Sequence, residues 1–163
     1  MKKSAAEILD YKKSKNKLLS FLEKKENSVM VLATSSNNIV IARSILVCNI
    51  DLDIYFFTWK HSRKCTQLSN NNRVSLCKDT VEIEGTARIL GPMKSVKNKR
   101  ILELFKQKNP SGIKRWEDKP NMIIVKIKPT FASIDGYFIE NDSFIEYIDL
   151  IKQKAYREKW ANY

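Results

Sequence analysis

The strongest constraint on the fold of this chain is a succession of short apolar or alternating runs, each closed by Asn, Asp, Ser or Gly-Pro. Residues 29–34 lead to Ser35-Ser36-Asn37-Asn38, residues 39–47 lead to a turn over 49–53, and residues 54–58 follow. Runs this short, rich in Val, Ile and Phe and punctuated by turn formers, read as strands joined by tight hairpins. Residues 73–77 and 80–90 alternate, so that Val81, Ile83, Ala87 and Ile89 share one face. Gly85 falls on that face, where a missing side chain marks a bulge or a close approach of another chain segment. Gly91-Pro92 ends the run, and residues 122–127 and 130–138 form the last clear strands, separated by Lys128-Pro129.

Helices are predicted between these runs. Ile8, Tyr11, Leu18 and Leu22 recur at helical spacing and place an N-terminal helix at about 5–25. A short helix over about 62–70 turns Cys65 and Leu68 inward, and another over 95–108 buries Ile101, Leu104 and Phe105. A loop runs from Asn109 to Asn121, and the tail at about 149–160 is predicted helical. With 163 residues, 43% of them hydrophobic, and no repeat or low-complexity linker, the expectation is one domain over residues 1–163. Its class is mainly β (α+β), an antiparallel barrel with peripheral helices.

Several function classes are set aside by the same residues. No apolar run approaches the roughly 20 residues that span a membrane, and Met1-Lys2-Lys3-Ser4-Ala5-Ala6-Glu7 lacks a secretory apolar stretch. The expected location is the cytoplasm, with no membrane partner. Cys48, Cys65 and Cys77 form no CxxC pair and His61 is the single histidine, so neither a disulfide framework nor a metal centre is expected. The formal net charge of +12 is spread over lysines along the whole chain, which reads as a solvated cationic surface. A basic nucleic-acid-binding barrel using Lys126 and Lys128 therefore ranks below the alternatives that follow.

One stretch points to chemistry. The apolar run Ile54-Tyr55-Phe56-Phe57 delivers the chain to Thr58-Trp59-Lys60-His61-Ser62-Arg63-Lys64, a polar turn opening a helix. Free N–H groups at a helix start, with hydroxyls and cations beside them, favour a bound phosphate.

The ordered set Val31-Leu32-Ala33-Thr34, Ala42-Arg43-Ser44-Ile45, Ile54-Tyr55-Phe56-Phe57-Thr58, Ser62-Arg63-Lys64, Gln67-Leu68, Asn72-Arg73-Val74-Ser75-Leu76 and Val81-Glu82-Ile83-Glu84-Gly85-Thr86-Ala87 resembles the pyridoxamine 5′-phosphate oxidase-like family of FMN-binding split barrels. The likeness runs over residues 28–90 in one register and more loosely to 138, and is nearest to the small stress-protein and uncharacterised members. It implies an antiparallel split β-barrel that forms a homodimer, with FMN at the subunit interface. By position, Arg43 and Lys64 would grip the FMN phosphate, aided by Ser62 and Arg63; charge-assisted donors from several directions suit a dianion. Ser44, Ile45 and Leu46 would line the isoalloxazine, Phe57 and Thr58 would flank the ring or ribityl chain, and Thr80 and Glu82 would approach from the other side. Some relatives use deazaflavin or haem instead.

The chain also departs from the family pattern. Cys48 stands where the oxidases carry a basic residue that can stabilise negative charge on a reduced flavin. The tail Tyr156-Arg157-Glu158-Lys159-Trp160 lacks histidine, so a vitamin B6 substrate is not expected. The resemblance thus implies an FMN-dependent oxidoreductase acting on another small molecule or electron donor, with a non-catalytic flavin module for storage or sensing as the alternative. No catalytic side chain is legible. Trp116 and Trp160 are candidates to cover a flavin, and equally to serve as core or interface contacts.

Overall fold

The computed structural model describes residues 6–136 and 144–159. Its elements in order are β1 (Glu7–Leu9), α1 (Tyr11–Glu23), β2 (Val29–Ser36), β3 (Ile39–Ile50), β4 (Asp53–Trp59), α2 (Arg63–Asn70), β5 (Arg73–Lys78), β6 (Val81–Pro92), α3 (Lys99–Lys108), α4 (Pro110–Lys114), β7 (Met122–Asp135), β8 (Phe144–Asp149) and β9 (Lys154–Lys159). The turn chemistry agrees with the sequence. Asn37 and Asn38 both take positive φ, 51° and 60°, between the paired residues Ser36 and Ile39. That is the backbone a two-residue hairpin needs to match strand twist. Asp51 and Asp79 take positive φ in the next two hairpins.

Strands β2, β3, β4, β7, β6 and β5 pair in that order, and β5 returns to β2, closing an antiparallel six-stranded barrel. The barrel splits at β7. Met122 to Ile127 of β7 pair with β4, whereas Phe131 to Asp135 pair with β8, to which β9 and β1 are added. This is a split barrel with peripheral helices.

Two cores explain why some strands alternate and others do not. The interior is filled by Met30, Leu32, Val47, Phe56, Leu76, Ile83 and Ile127, together with Leu18 and Leu22 of α1. A second cluster forms outside the barrel, where Ile101, Leu102 and Phe105 of α3 cover Cys48, Tyr55 and Ile124. Strand β4 lies between the two cores. Ile54, Tyr55 and Phe56 are therefore all buried, which is why that stretch reads as a continuous apolar run.

Several expectations are corrected. The tail is not helical: Asp149 Oδ1 accepts from the amides of Ile151 and Lys152 in a tight turn, and the chain returns as β9. Its Lys, Glu and Ala have adequate helix propensity, but strand pairing wins. Ala155 is buried, and Tyr156 stacks on Tyr147 with ring centroids 5.0 Å apart. At the other end, Ile8 is 89% exposed and belongs to β1, paired with Tyr156 rather than lying on the helix. Helix α1 begins at Tyr11, after Asp10 accepts from the Lys13 amide at 3.1 Å.

Lys128-Pro129 does not divide β7. Gly85 pairs with Pro129 and Glu84 with Phe131, so Thr130 is the extra residue of a bulge. A second irregularity, between Ile89 and Gly91, leaves Leu90 as the extra residue; Ile89 pairs with the buried Val125 and so stays on the face it shares with Ala87, 41% exposed. The expected loop after Asn109 contains α4, capped by Asn109 Oδ1 accepting from the Gly112 amide at 2.9 Å. Residues 1–5, the predicted strand end at Phe138, and Trp160 lie outside the described residues. No described helix is long and apolar enough to cross a membrane.

Candidate functional site

Arg43 lies on the same side of β3 as Ile45 and Val47, which fill the barrel. It sits at the barrel end closed by α2. Its guanidinium donates to Thr34 Oγ1 at 2.6 Å, to Gln67 Oε1 at 3.0 Å and, at 3.4 Å, to the Leu32 carbonyl. Thr34 also donates to Gln67 Oε1 at 2.7 Å, while Gln67 Nε2 donates to the Ile39 carbonyl at 3.3 Å. That last bond fixes the amide, leaving its oxygen to face the arginine. On the adjoining wall Lys64 Nζ donates to Thr58 Oγ1 at 2.9 Å, and the Thr58 and Ser62 hydroxyls are 3.3 Å apart.

Every partner of these cations is neutral. Among the described residues Arg43, Arg63 and Lys64 enter no ion pair. Burial lowers the Arg43 pKa, and the charge of Arg63 lowers it further. Burial likewise lowers that of Lys64, with Arg43 adding to the effect. Partly desolvated like charges held by neutral acceptors are costly until an anion joins them. The donor set of guanidinium, ammonium and two hydroxyls suits a phosphate dianion. The Ser62 side chain makes no capping bond to α2, so its hydroxyl faces Thr58 and Cys65 instead.

A pH dependence follows for the ligand-free protein. The Lys64 pKa is lower in the folded chain than in the unfolded one, so its charged form opposes folding at neutral pH. That cost fades as pH rises from the lowered value toward the ordinary lysine value of about 10.4. Lys64→Met should therefore be more stable to urea than the parent at pH 7–8, and the difference should shrink as pH approaches about 10. A constant difference across that range would show that the Lys64 charge is not responsible.

The other expected site residues divide into groups. Thr58, Ser62 and Lys64 come together as described, and Arg63 is exposed but close enough to act on Arg43. Ile45 is buried in the barrel core; Ser44 is exposed and Leu46 half-buried on the opposite side of β3. Phe57 faces the outer core, edge-on to Phe105 with centroids 5.1 Å apart. Thr80 and Glu82 do not join this cluster within one chain. Glu82 pairs with Cys77, Cys77 with Val31 and Val31 with Ser44, which puts it three strand spacings, about 14 Å, from β3. His61 is exposed and rests edge-on against Trp59, with centroids 5.4 Å apart, and Trp116 is 42% exposed after α4.

Gln67 and Thr34 are the site residues that sequence reasoning left without a role. A glutamine on the buried face of α2, three positions after Lys64, was the available signal, because a buried amide must have partners. Cys48 is buried beneath α3, and burial pushes its thiol up to about 12. Lys108 of α3 stands beside it, bonded to the Leu22 carbonyl and, at 3.4 Å, to Asn49 Oδ1. A cation is thus present next to Cys48, brought by a different element.

Comparison with known proteins agrees with this architecture. The profile of the family described as pyridoxamine 5′-phosphate oxidase matches residues 14–132, well over half of the chain. No curated protein sequence matches. Among solved structures, general stress protein 26 of Bacillus anthracis str. Sterne is similar with 23% identity and a TM-score of 0.62, over 84% of this chain and 98% of that one. An FAD-binding protein of Mesorhizobium loti shares 16% identity with a TM-score of 0.55, over 96% and 100% of the two chains. The haem storage protein HutZ of Vibrio cholerae shares 10% identity with a TM-score of 0.56, over 74% and 91%.

Proposed function

From the premise that the chain belongs to the pyridoxamine 5′-phosphate oxidase family, we propose that it binds FMN at the Arg43–Lys64 cluster. We further propose that it works as an oxidoreductase on a small molecule other than vitamin B6. The observation that carries this reading is the pair Arg43 and Lys64 at the barrel end, held only by neutral groups and with the charge of Arg63 beside them. Arg43 and Lys64 would take the phosphate from two sides, with Thr58 and Ser62 supplying hydroxyl donors. Gln67 and Thr34 hold the guanidinium in place beforehand. Bound flavin would supply hydride or electron transfer, chemistry that no side chain here performs. The chain contributes position, charge and exclusion of water.

A homodimer completes the proposal. The outward face of β2 and β3 exposes apolar side chains: Val29 is 43% exposed, Val31 40% and Val40 69%. Val31 shares its row with Ser44 and Cys77, and the row ends at Glu82. A partner packed on this face would cover the apolar patch and place its own Thr80 and Glu82 near this chain's cofactor.

The test is an FMN titration followed by absorbance and fluorescence, with the mass in solution measured alongside. The expected result is one FMN per chain in a dimer. Val31→Glu should yield monomers and lose FMN together with the dimer. A folded dimer that leaves FMN free in solution would overturn the site. Reduction by a nicotinamide cofactor, with discharge to a quinone, separates an enzyme from a storage or sensing module. A Soret band on adding haem, abolished by His61→Ala, would favour a haem-binding role like that named for HutZ.

A further inference from the structure

A second cationic site lies elsewhere on the barrel. A cleft of about 740 Å³ opens over the outer face of β4, β7 and β6, beside the start of α3. Its rim carries Arg88, Lys97, Lys126 and Lys128. In the sheet, Arg88 pairs directly with Lys126, and Lys128 with Thr86 in the next row. Like charges directly opposite one another on a sheet face are destabilising. One carboxylate relieves them in part: Asp53 binds Lys126 at 2.5 Å. Among the described residues Arg88, Lys97 and Lys128 form no ion pair. The floor is apolar and carries one aromatic ring, formed by Tyr55, Leu90 and Ile101, with Lys126 Nζ 6.0 Å from the Tyr55 ring centroid.

We infer that this cleft is a binding site for a nucleotide, with the phosphates on the Arg88–Lys128 rim and the base over Tyr55 and Ile101. The volume lies within the usual range of small-molecule sites, about 300–1,000 Å³. A polyanion without a ring would leave the apolar floor bare. A single strand of nucleic acid would need successive aromatic platforms, and the cleft offers one ring. The site is separate from the Arg43 cluster, because Arg88 and Lys126 share the outward face with Tyr55, whereas Arg43 lies on the side of β3 that fills the barrel.

The test is calorimetric titration of the full chain with ATP as the probe, at low salt. Inorganic tripolyphosphate, adenosine and an oligothymidylate are the comparison ligands. One ATP per chain is expected, bound more tightly than tripolyphosphate or adenosine. Arg88→Ala combined with Lys128→Ala should weaken ATP by at least about tenfold, as two charge-assisted contacts are lost. Asp53→Asn should tighten it by roughly threefold, because Lys126 is freed for the ligand. The thermal midpoint of the double variant should stay the same or rise, since like-charge repulsion is removed. FMN titration of the double variant should be unchanged, and Arg43→Ala should bind ATP like the parent, so the two sites fail separately. No saturable ATP binding, an affinity unmoved by the double variant, or loss in Arg43→Ala would overturn the proposal. Equal binding of tripolyphosphate would remove the base from the assignment, and tighter binding of the oligothymidylate would replace the nucleotide with nucleic acid.

Discussion

Replacing Arg43 with Ala is expected to weaken FMN binding by about 1.5–3 kcal/mol, roughly 10- to 150-fold in Kd. The guanidinium is already oriented: Thr34 and Gln67 hold it at 2.6 and 3.0 Å before any ligand arrives. Little side-chain entropy is then lost on binding, and two parallel N–H donors remain suited to a phosphate. Arg43→Lys would keep the charge but lose the fork and the bond geometry to Gln67, so it should fall between Ala and the parent. Lys64→Ala removes the opposite wall and should cost a similar amount. The two losses should not add, because each cation also relieves repulsion on the other once removed. An Arg43→Ala protein that folds and binds FMN with the parental Kd would refute the phosphate assignment. The readout is fluorescence quenching of FMN on titration, with circular dichroism confirming the fold.

Gly85→Val should destabilise the fold by about 2–4 kcal/mol in urea unfolding. A Cβ at Gly85 would lie 2.7 Å from the Lys128 carbonyl oxygen and 2.9 Å from Ile127 Cγ2. Neither neighbour can retreat easily. The carbonyl is backbone at the point where β7 bulges around Thr130, and Ile127 is fully buried in the barrel core. Val must therefore push β6 away from β7 at the place where the barrel splits. Gly85→Ala meets the same two atoms and should be destabilising too, by less. If Gly85→Val unfolds at the parental urea concentration, the close approach is not what the residue provides.

Both predictions rest on features that were partly legible in the sequence. Gly85 stood out because it interrupted an alternating apolar face, and alternation is a local property that hairpin strands display directly. The Asn37-Asn38 turn was legible for the same reason, since two residues that tolerate positive φ between two β runs leave few other options. Arg43 and Lys64 were placed by position within a resemblance; their convergence was not. They are 21 positions apart by their residue numbers and meet only because α2 folds back across the end of β2. Gln67, which fixes Arg43, was visible as a glutamine on a buried helix face, but its partner could not be read without the fold.

Elsewhere local signals pointed the wrong way. The tail from Asp149 carries helix-compatible residues, yet β9 pairs with β8 and β1, and propensities of a few tenths of a kcal/mol per residue yield to that pairing. Ile8 matched a helical period and instead extends into β1. The cationic rim of Arg88, Lys97, Lys126 and Lys128 was read as part of a diffuse surface charge. Strand register places two of those cations opposite each other, and the turn before α3 brings Lys97 to the same cleft.

By itself, the sequence determined the strand runs, the hairpin turns, the glycine that must lie close to another backbone, and the presence of an anion-seeking turn. Periodicity and turn propensity act over a few residues, so the chain carries them openly. Only the tertiary structure decided which cations share a space and where the barrel splits. It also decided whether the tail is helix or strand. Those outcomes depend on the pairing of β7 with β4, β6 and β8 and on the packing of α2 and α3. Such contacts join distant residues, and their energy exceeds any local preference.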